Sequence, residues 1–172
     1  MLTAKAKAFW PLLFLLIFAD CTTKRLAEEH LVQHMPHPVV GEVVRFTLAY
    51  NPGAAFSFSL GEHSRLGFTV IALCVLVALG SVYRSTASQD RLQAIALALV
   101  AGGALGNMLD RFRSPSGTYR GVVDFMDIGV SGWRFWTFNL ADVGVTFGAV
   151  LLALLMLKRG SGQSTEPSTA SS

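Results

Sequence analysis

Apolar residues fall along the chain in four runs, separated by stretches in which polar and charged residues take over. The fourth, Trp136 to Leu157, is the longest and carries no charge from Val143 onward. At about 22 residues it is long enough to cross the hydrocarbon core of a bilayer as a helix. Leu66 to Tyr83 and Leu92 to Leu109 form two further spans. The first run, Ala8 to Ala19, is shorter and follows Lys5 and Lys7. That pattern has two readings. A basic start and a short apolar core fit a cleavable signal peptide, and Phe18-Ala19-Asp20-Cys21 resembles a lipoprotein cleavage box, except that Asp20 stands where a small residue is wanted. The preferred reading is a retained helix over residues 6–26, with Asp20 and Lys24 four apart and able to pair on one face. Pro11 is tolerable inside a membrane helix. The expected fold class is membrane all-α, with spans at about 6–26, 66–83, 92–109 and 136–157 in one domain over residues 1–159.

Between the first two spans, His30 to Arg65 alternates polar and apolar residues. Val39 to Leu48 (VVGEVVRFTL) is rich in β-branched side chains and predicts a strand or hairpin, a small extracytoplasmic β-rich segment that lies on the membrane surface. Asn51-Pro52-Gly53 is a turn signal. The third span ends in small residues, with Gly102 and Gly106 spaced to let another helix approach closely. Asn107 and Arg111 follow on one helix face, beside Asp110. Residues 160–172, rich in Ser, Thr and Gly, form a disordered tail.

Composition supports the membrane reading. Of 172 residues, 52% are hydrophobic and 15% charged, against about 45–50% and 25% in soluble domains; the mean hydropathy is +0.48. The net charge of +3 is small and unclustered, which excludes a nucleic-acid partner of the usual basic kind. Cys21 and Cys74 are the only cysteines, and Cys74 lies within an apolar run, so no disulfide framework or Cys-based metal site is expected. His30 and His34 have helical ligand spacing but no third ligand at a defined interval; they read as solvated, and no metal or cofactor is expected.

The acids carry the chemistry. Asp142 sits near the front of the fourth run, three residues after Asn139, and Asp124 interrupts the apolar Val122-Val123-Asp124-Phe125-Met126. Carboxylates so placed are costly to bury and face an interior or a wet cavity for a purpose. Asp20 has Lys24, Asp110 has Arg111 and Arg113 nearby, and Asp127 reads as solvated. Asp124 and Asp142 lack a local basic partner. Two functions follow from paired acids at a membrane: acid–base hydrolysis, or proton relay in a small proton-coupled carrier. A third reading is a scaffold held by the glycine-rich helix. The acids cluster at one face and the chain shows no repeated halves, which disfavours the carrier.

Four spans put both termini on one side. Lys5, Lys7, Arg84, Arg91, Lys158 and Arg159 crowd the terminal segments and the short second loop, a density that favours termini in the cytoplasm and the acids at the outer face.

Five blocks then resemble one family: Asp20-Cys21-Thr22-Thr23-Lys24, Asn51-Pro52-Gly53-Ala54-Ala55-Phe56, Gly102 to Arg111 (GGALGNMLDR), Val122-Val123-Asp124-Phe125 and Phe138-Asn139-Leu140-Ala141-Asp142. In this order, with four spans, they resemble the lipoprotein signal peptidases, the signal peptidase II enzymes of bacteria, over the chain up to about Arg159. Cys21 departs from the family's usual Gln. The resemblance implies an aspartic endopeptidase of the inner membrane that cuts a prolipoprotein just before its diacylglyceryl-modified cysteine. It implies Asp124 and Asp142 as the catalytic pair. Asn51, Gly53, Asn107, Arg111 and Asn139 would line and support the site, with Asp20, Lys24 and Asp110 structural. Its partners would be the prolipoprotein substrates and membrane lipid, with the enzyme a monomer.

Overall fold

The computed structural model describes residues 2–52, 54–55, 58–59, 64–113, 121–130 and 132–163. Four helices dominate it: α1 (Ala4–His30), α2 (Ser64–Ser85), α3 (Arg91–Arg113) and α4 (Leu140–Gln163). All four are long and apolar enough to cross a membrane. α1, α2 and α3 run past the expected spans at both ends, because the apolar runs mark the lipid-facing length while helical hydrogen bonding continues into polar ends that water can solvate. α1 begins at Thr3, whose hydroxyl accepts from the Ala6 amide at 3.3 Å, and continues past Leu26 to His30. The fourth span, expected to begin at Trp136, starts later. Residues 135–139 remain extended and α4 starts only at Leu140, because Asn139 caps it. Helical structure also reaches Gln163, four residues into the expected tail; the rest of the tail lies outside the described residues.

α3 is the central helix, packed against α1 on one side and α4 on the other, with α2 lying outside on α3. Its small residues make this possible. Leu16 and the Leu13 carbonyl of α1 lie 3.1 and 3.3 Å from where a Cβ on Gly102 would stand, and a Cβ on Gly106 would come within 2.6 Å of the Asp20 carboxylate. Gly103 faces the other way, and its Cβ would collide with the Ala141 carbonyl of α4. The Gly102–Gly106 pair expected to bring a helix close therefore receives α1. Phe9, Leu13, Ala94, Leu97, Ala98 and Ala101 form the apolar core there.

The β-rich segment is a four-stranded antiparallel sheet, ordered β1 (His37–Val40), β2 (Val44–Asn51), β5 (Val122–Val130) and β6 (Trp133–Arg134). A separate pair is formed by β3 (Ala54–Ala55) and β4 (Phe58–Ser59). The hairpin expected over Val39–Leu48 is β1 and β2, turning at Gly41 in the left-handed region (φ 51°). Its partner β5 was not evident from sequence. β2 pairs with it from Val44 opposite Ile128 to Asn51 opposite Val122, placing Ala49 opposite Asp124. The sheet is fixed to α1 by Ala27, Leu48, Val123 and Phe125.

Two local expectations are corrected. Asp127 is not solvated: it is buried, and its carboxylate meets Arg134 Nε at 2.6 Å, Arg45 Nη2 at 3.2 Å and the Thr47 hydroxyl at 3.0 Å. Burial would raise its pKa, but the hydrogen bonds of Arg134 and Thr47 and the two guanidinium charges outweigh that and hold it below the usual carboxylate value. Asp110 does not pair with its neighbours Arg111 and Arg113. It pairs with Lys24 at 2.9 Å, whereas Arg113 pairs with Glu28 at 3.2 Å.

Candidate active site

The two unpartnered acids meet at the start of α4. Phe138 bridges to Met126 of β5, its carbonyl accepting from the Phe125 and Met126 amides and its amide donating to the Met126 carbonyl. That pairing lays the next residue, Asn139, alongside Asp124. Asn139 is fully buried and touches both acids. Its side-chain Nδ2 donates to Asp124 Oδ1 at 2.7 Å, and its backbone amide donates to Asp142 Oδ2 at 3.1 Å. Its Oδ1 accepts in return from the Asp142 amide at 3.0 Å. This reciprocal bonding between the residue preceding the helix and the third residue within it is a capping box. It satisfies amides that a helix start leaves unbonded, and here it also fixes one acid relative to the other.

Asn107 closes the constellation from α3. Its Nδ2 donates to Asp142 Oδ1 at 2.8 Å, and its Oδ1 accepts from Asn139 Nδ2 at 3.1 Å and from Lys24 Nζ at 2.9 Å. Both Asp142 oxygens thus accept a hydrogen bond. Asp124 is 5% exposed. Burial first, and then the charge of Asp142, push its carboxyl up to about 7 against the opposing pull of the Asn139 bond. A carboxyl placed so can hold a proton near neutrality beside a second carboxylate.

Behind the pair stands a buried ionic cluster. Lys24 Nζ lies 2.7 Å from Asp20 Oδ2, 2.9 Å from Asp110 Oδ2 and 2.9 Å from Asn107 Oδ1, three polar neighbours for the three hydrogens of an ammonium. Each acid of the cluster reaches one backbone amide. Asp20 accepts from Ala141, the residue before Asp142, at 2.9 Å; Asp110 accepts from Val123, the residue before Asp124, at 3.2 Å. The expected Asp20–Lys24 pair is therefore real and has a further office, tying both acid-bearing segments to α1 and α3.

Residues 12–158 match the family model described as signal peptidase (SPase) II. The chain belongs to the signal peptidase II family. It is 37% identical over 163 residues to the lipoprotein signal peptidase of Coxiella burnetii (strain Dugway 5J108-111), covering 91% of this chain and 96% of that protein. To the lipoprotein signal peptidase of Ectopseudomonas mendocina (strain ymp) it is 42% identical over 153 residues, covering 87% and 88%. A bacterial membrane enzyme solved by the in meso method at 2.3 Å resolution superposes with a TM-score of 0.78 at 27% identity, over 91% of both chains. A second, at 1.9 Å, gives 0.74 at 28% identity over 86% and 90%. This signal peptidase II family member is a multi-pass bacterial membrane peptidase, and its family removes signal peptides from prolipoproteins.

Of the site residues expected from sequence, Asp124, Asp142, Asn107 and Asn139 come together in this member, with Asp20, Lys24 and Asp110 directly behind. Arg111 stands beside them: its Nη1 donates to the Asn107 carbonyl at 2.7 Å, its guanidinium lies 5.8 Å from the Phe68 ring, and its Nε is buried without a hydrogen-bond partner among the described residues. Asn51 ends β2 opposite Val122, two residues along the sheet from the Asp124 register. Gly53 lies outside the described residues. Among those residues, no group of three metal-binding side chains stands together, and Cys21 and Cys74 are free thiols. Sequence reasoning placed Asn139 on one helix face with Asp142. Its capping role was missed, although Asn-x-x-Asp before an apolar run is the local signature of a helix start.

Proposed function

We propose that the chain is an aspartic endopeptidase, in which Asp124 and Asp142 cut the signal peptide from a diacylglyceryl-modified prolipoprotein just before the lipidated cysteine. The observation carrying this reading is the single residue, Asn139, that hydrogen-bonds both carboxylates. In the resting enzyme the pair shares one proton, residing on Asp124, whose carboxyl is pushed to about 7. Asp142 is the base, its two oxygens held by Asn107 and Asn139. The titration observed would belong to the pair.

Asp142 takes a proton from a water as the water oxygen attacks the scissile carbonyl carbon, and Asp124 gives its proton to the carbonyl oxygen. The tetrahedral diol then collapses. Asp142 passes its new proton to the cysteine nitrogen, the C–N bond breaks, and Asp124 recovers a proton from one hydroxyl. A carboxyl-ended signal peptide and an amino-terminal lipidated cysteine result, and the pair returns to its starting state without metal, cofactor or covalent intermediate. The Nε of Arg111, buried and without a hydrogen-bond partner among the described residues, supports a role in holding the substrate backbone, and Asn51, Gly53 and the β1–β2 hairpin would line the approach. If stiffening the Val39–Leu48 hairpin leaves substrate affinity unchanged, it has no clasping role.

The orientation proposed is termini in the cytoplasm and the acids at the outer face of the inner membrane, supported by the Lys and Arg density at the opposite helix ends. The enzyme acts as a monomer. The deciding experiment is cleavage of diacylglyceryl-modified prolipoprotein by purified wild-type, Asp124→Asn and Asp142→Asn protein in detergent. Cleavage by wild type alone, with both variants folded, supports the pair. Cleavage surviving in either variant refutes it, and failure of sound wild-type protein on verified substrate returns the carrier reading.

A further inference from the structure

A groove that begins at the end of the bundle remote from the acids and runs up to Leu105 has no part in holding the acid pair. Between α1, α2 and α3 runs a groove of about 360 Å³, lined by Phe9, Trp10, Phe14, Leu76, Gly80 and Tyr83 among others. Its floor is where α1 meets the C-terminal end of α2. There the Phe9 and Tyr83 rings stand 4.4 Å apart, and Lys5 Nζ donates to the Tyr83 and Thr86 carbonyls at 2.8 and 2.6 Å. Above that floor the walls part toward lipid: Trp10 is 45% and Phe14 61% exposed. Gly80 widens the gap, since a Cβ there would meet nothing within 4 Å.

The rim is basic. Lys7 stands three residues before Trp10 and seven before Phe14, on the same face of α1, and Arg84 stands four after Gly80 on the same face of α2. Both are exposed, and among the described residues neither is in an ion pair. No acid precedes Asp20, and none occurs between Ser64 and Gln89, so neither lining segment offers a carboxylate of its own to neutralise this rim.

We propose that the groove binds an acyl chain of an anionic phospholipid whose phosphate is held between Lys7 and Arg84. The wall of the groove on α1 extends over two turns, from Phe9 to Ile17. A flexible hydrocarbon chain fits such a slot, and an ammonium and a guanidinium that are in no ion pair among the described residues, with Asp90 of the neighbouring loop engaged by Arg159, select a negative headgroup over a zwitterionic one.

The test uses Trp10 as the reporter in full-length Trp133→Phe/Trp136→Phe protein, in which it is the sole tryptophan. The protein is placed in phosphatidylcholine vesicles doped either with brominated-chain phosphatidylglycerol or with the same fraction of brominated-chain phosphatidylcholine. Stronger quenching by the phosphatidylglycerol is expected, with that preference falling about fivefold on each of Lys7→Gln and Arg84→Gln. Gly80→Leu, which fills the groove, should reduce quenching by both lipids while peptidase activity persists as the check on folding. Equal quenching by the two lipids, a preference untouched by both charge variants, or quenching unchanged by Gly80→Leu each overturns the proposal. Quenching that falls as protein is concentrated in the vesicles would give the groove to a second copy of the chain, and overturn it too.

Discussion

Replacing Lys24 by Met should cost the protein both stability and activity. The ammonium is fully buried between Asp20, Asp110 and Asn107 at 2.7–2.9 Å. Met keeps the length of the side chain and removes the charge, leaving two carboxylates facing each other out of water. Removing one partner of a buried ion pair costs about 3–5 kcal/mol, which for a chain of this size lowers the unfolding midpoint by roughly 6–20 °C. The loss reaches the site because Asp20 holds the Ala141 amide and Asp110 the Val123 amide, each one residue from a site acid. A shift of about 1 Å there lowers cleavage by roughly 10²-fold. Thermal unfolding in detergent and prolipoprotein cleavage, read side by side, measure the two effects. Adding Asp20→Asn and Asp110→Asn removes the stranded charges and should restore most of the stability without restoring full activity. A Lys24→Met protein that unfolds at the wild-type temperature and cleaves at the wild-type rate would refute the hub.

Further expectations concern single features. Cleavage should decline as pH rises through about 7, where Asp124 gives up the pair's proton, and Asp124→Asn should remove that limb along with the activity. Because burial raises this carboxyl in the folded state alone, its contribution to stability is complete below about pH 4 and lost as pH rises through about 7; thermal unfolding of wild type against Asp124→Asn across that window should show the decline in wild type only. Gly103→Ala would drive a methyl into the Ala141 carbonyl, separating α3 from α4 at a cost of about 1–3 kcal/mol, seen as an earlier unfolding midpoint and weaker cleavage. Asp127→Asn should leave cleavage intact while weakening the sheet by about 1–3 kcal/mol, since Arg45 and Arg134 lose their shared acceptor; loss of cleavage in a folded variant would place Asp127 in the chemistry instead.

The four spans were legible because lipid imposes a length and a composition that few other constraints imitate. Asp124 and Asp142 stood out for the same reason, as carboxylates against apolar neighbours with no base nearby in sequence. What remained hidden depended on partners far along the chain. Asp110 read as paired with Arg111 and Arg113 because they lie close in sequence, yet the helix turns the adjacent Arg111 away, Arg113 goes to Glu28 of α1, and the partner of Asp110, Lys24, comes from another helix altogether. Asp127 looked solvated because Arg45, Thr47 and Arg134 reach it only through the pairing of β2, β5 and β6. The β5 strand itself, VVDFMDIGV, is buried at nearly every position from Val122 to Asp127 and so shows no simple alternation. The start of α4 was misplaced because the aromatic residues Trp136 and Phe138 lengthen the apolar run at its front, whereas the hydrogen bonds of Phe138 to β5 hold that stretch extended.

The capping box that joins Asn139 to Asp142 also sets an order of assembly. Asp124 is made before the fourth helix, and until α4 begins its first turn no Asn139 side chain or Asp142 carboxylate is in place beside it. On the proposed reading, a chain with three helices inserted therefore carries half of the acid pair and cannot cut its neighbours in the membrane. Completion of the last span brings both missing groups into position in one step, since the bonds that start the helix are the same bonds that orient the acid. Insertion of the fourth helix and completion of the acid pair are thus one event.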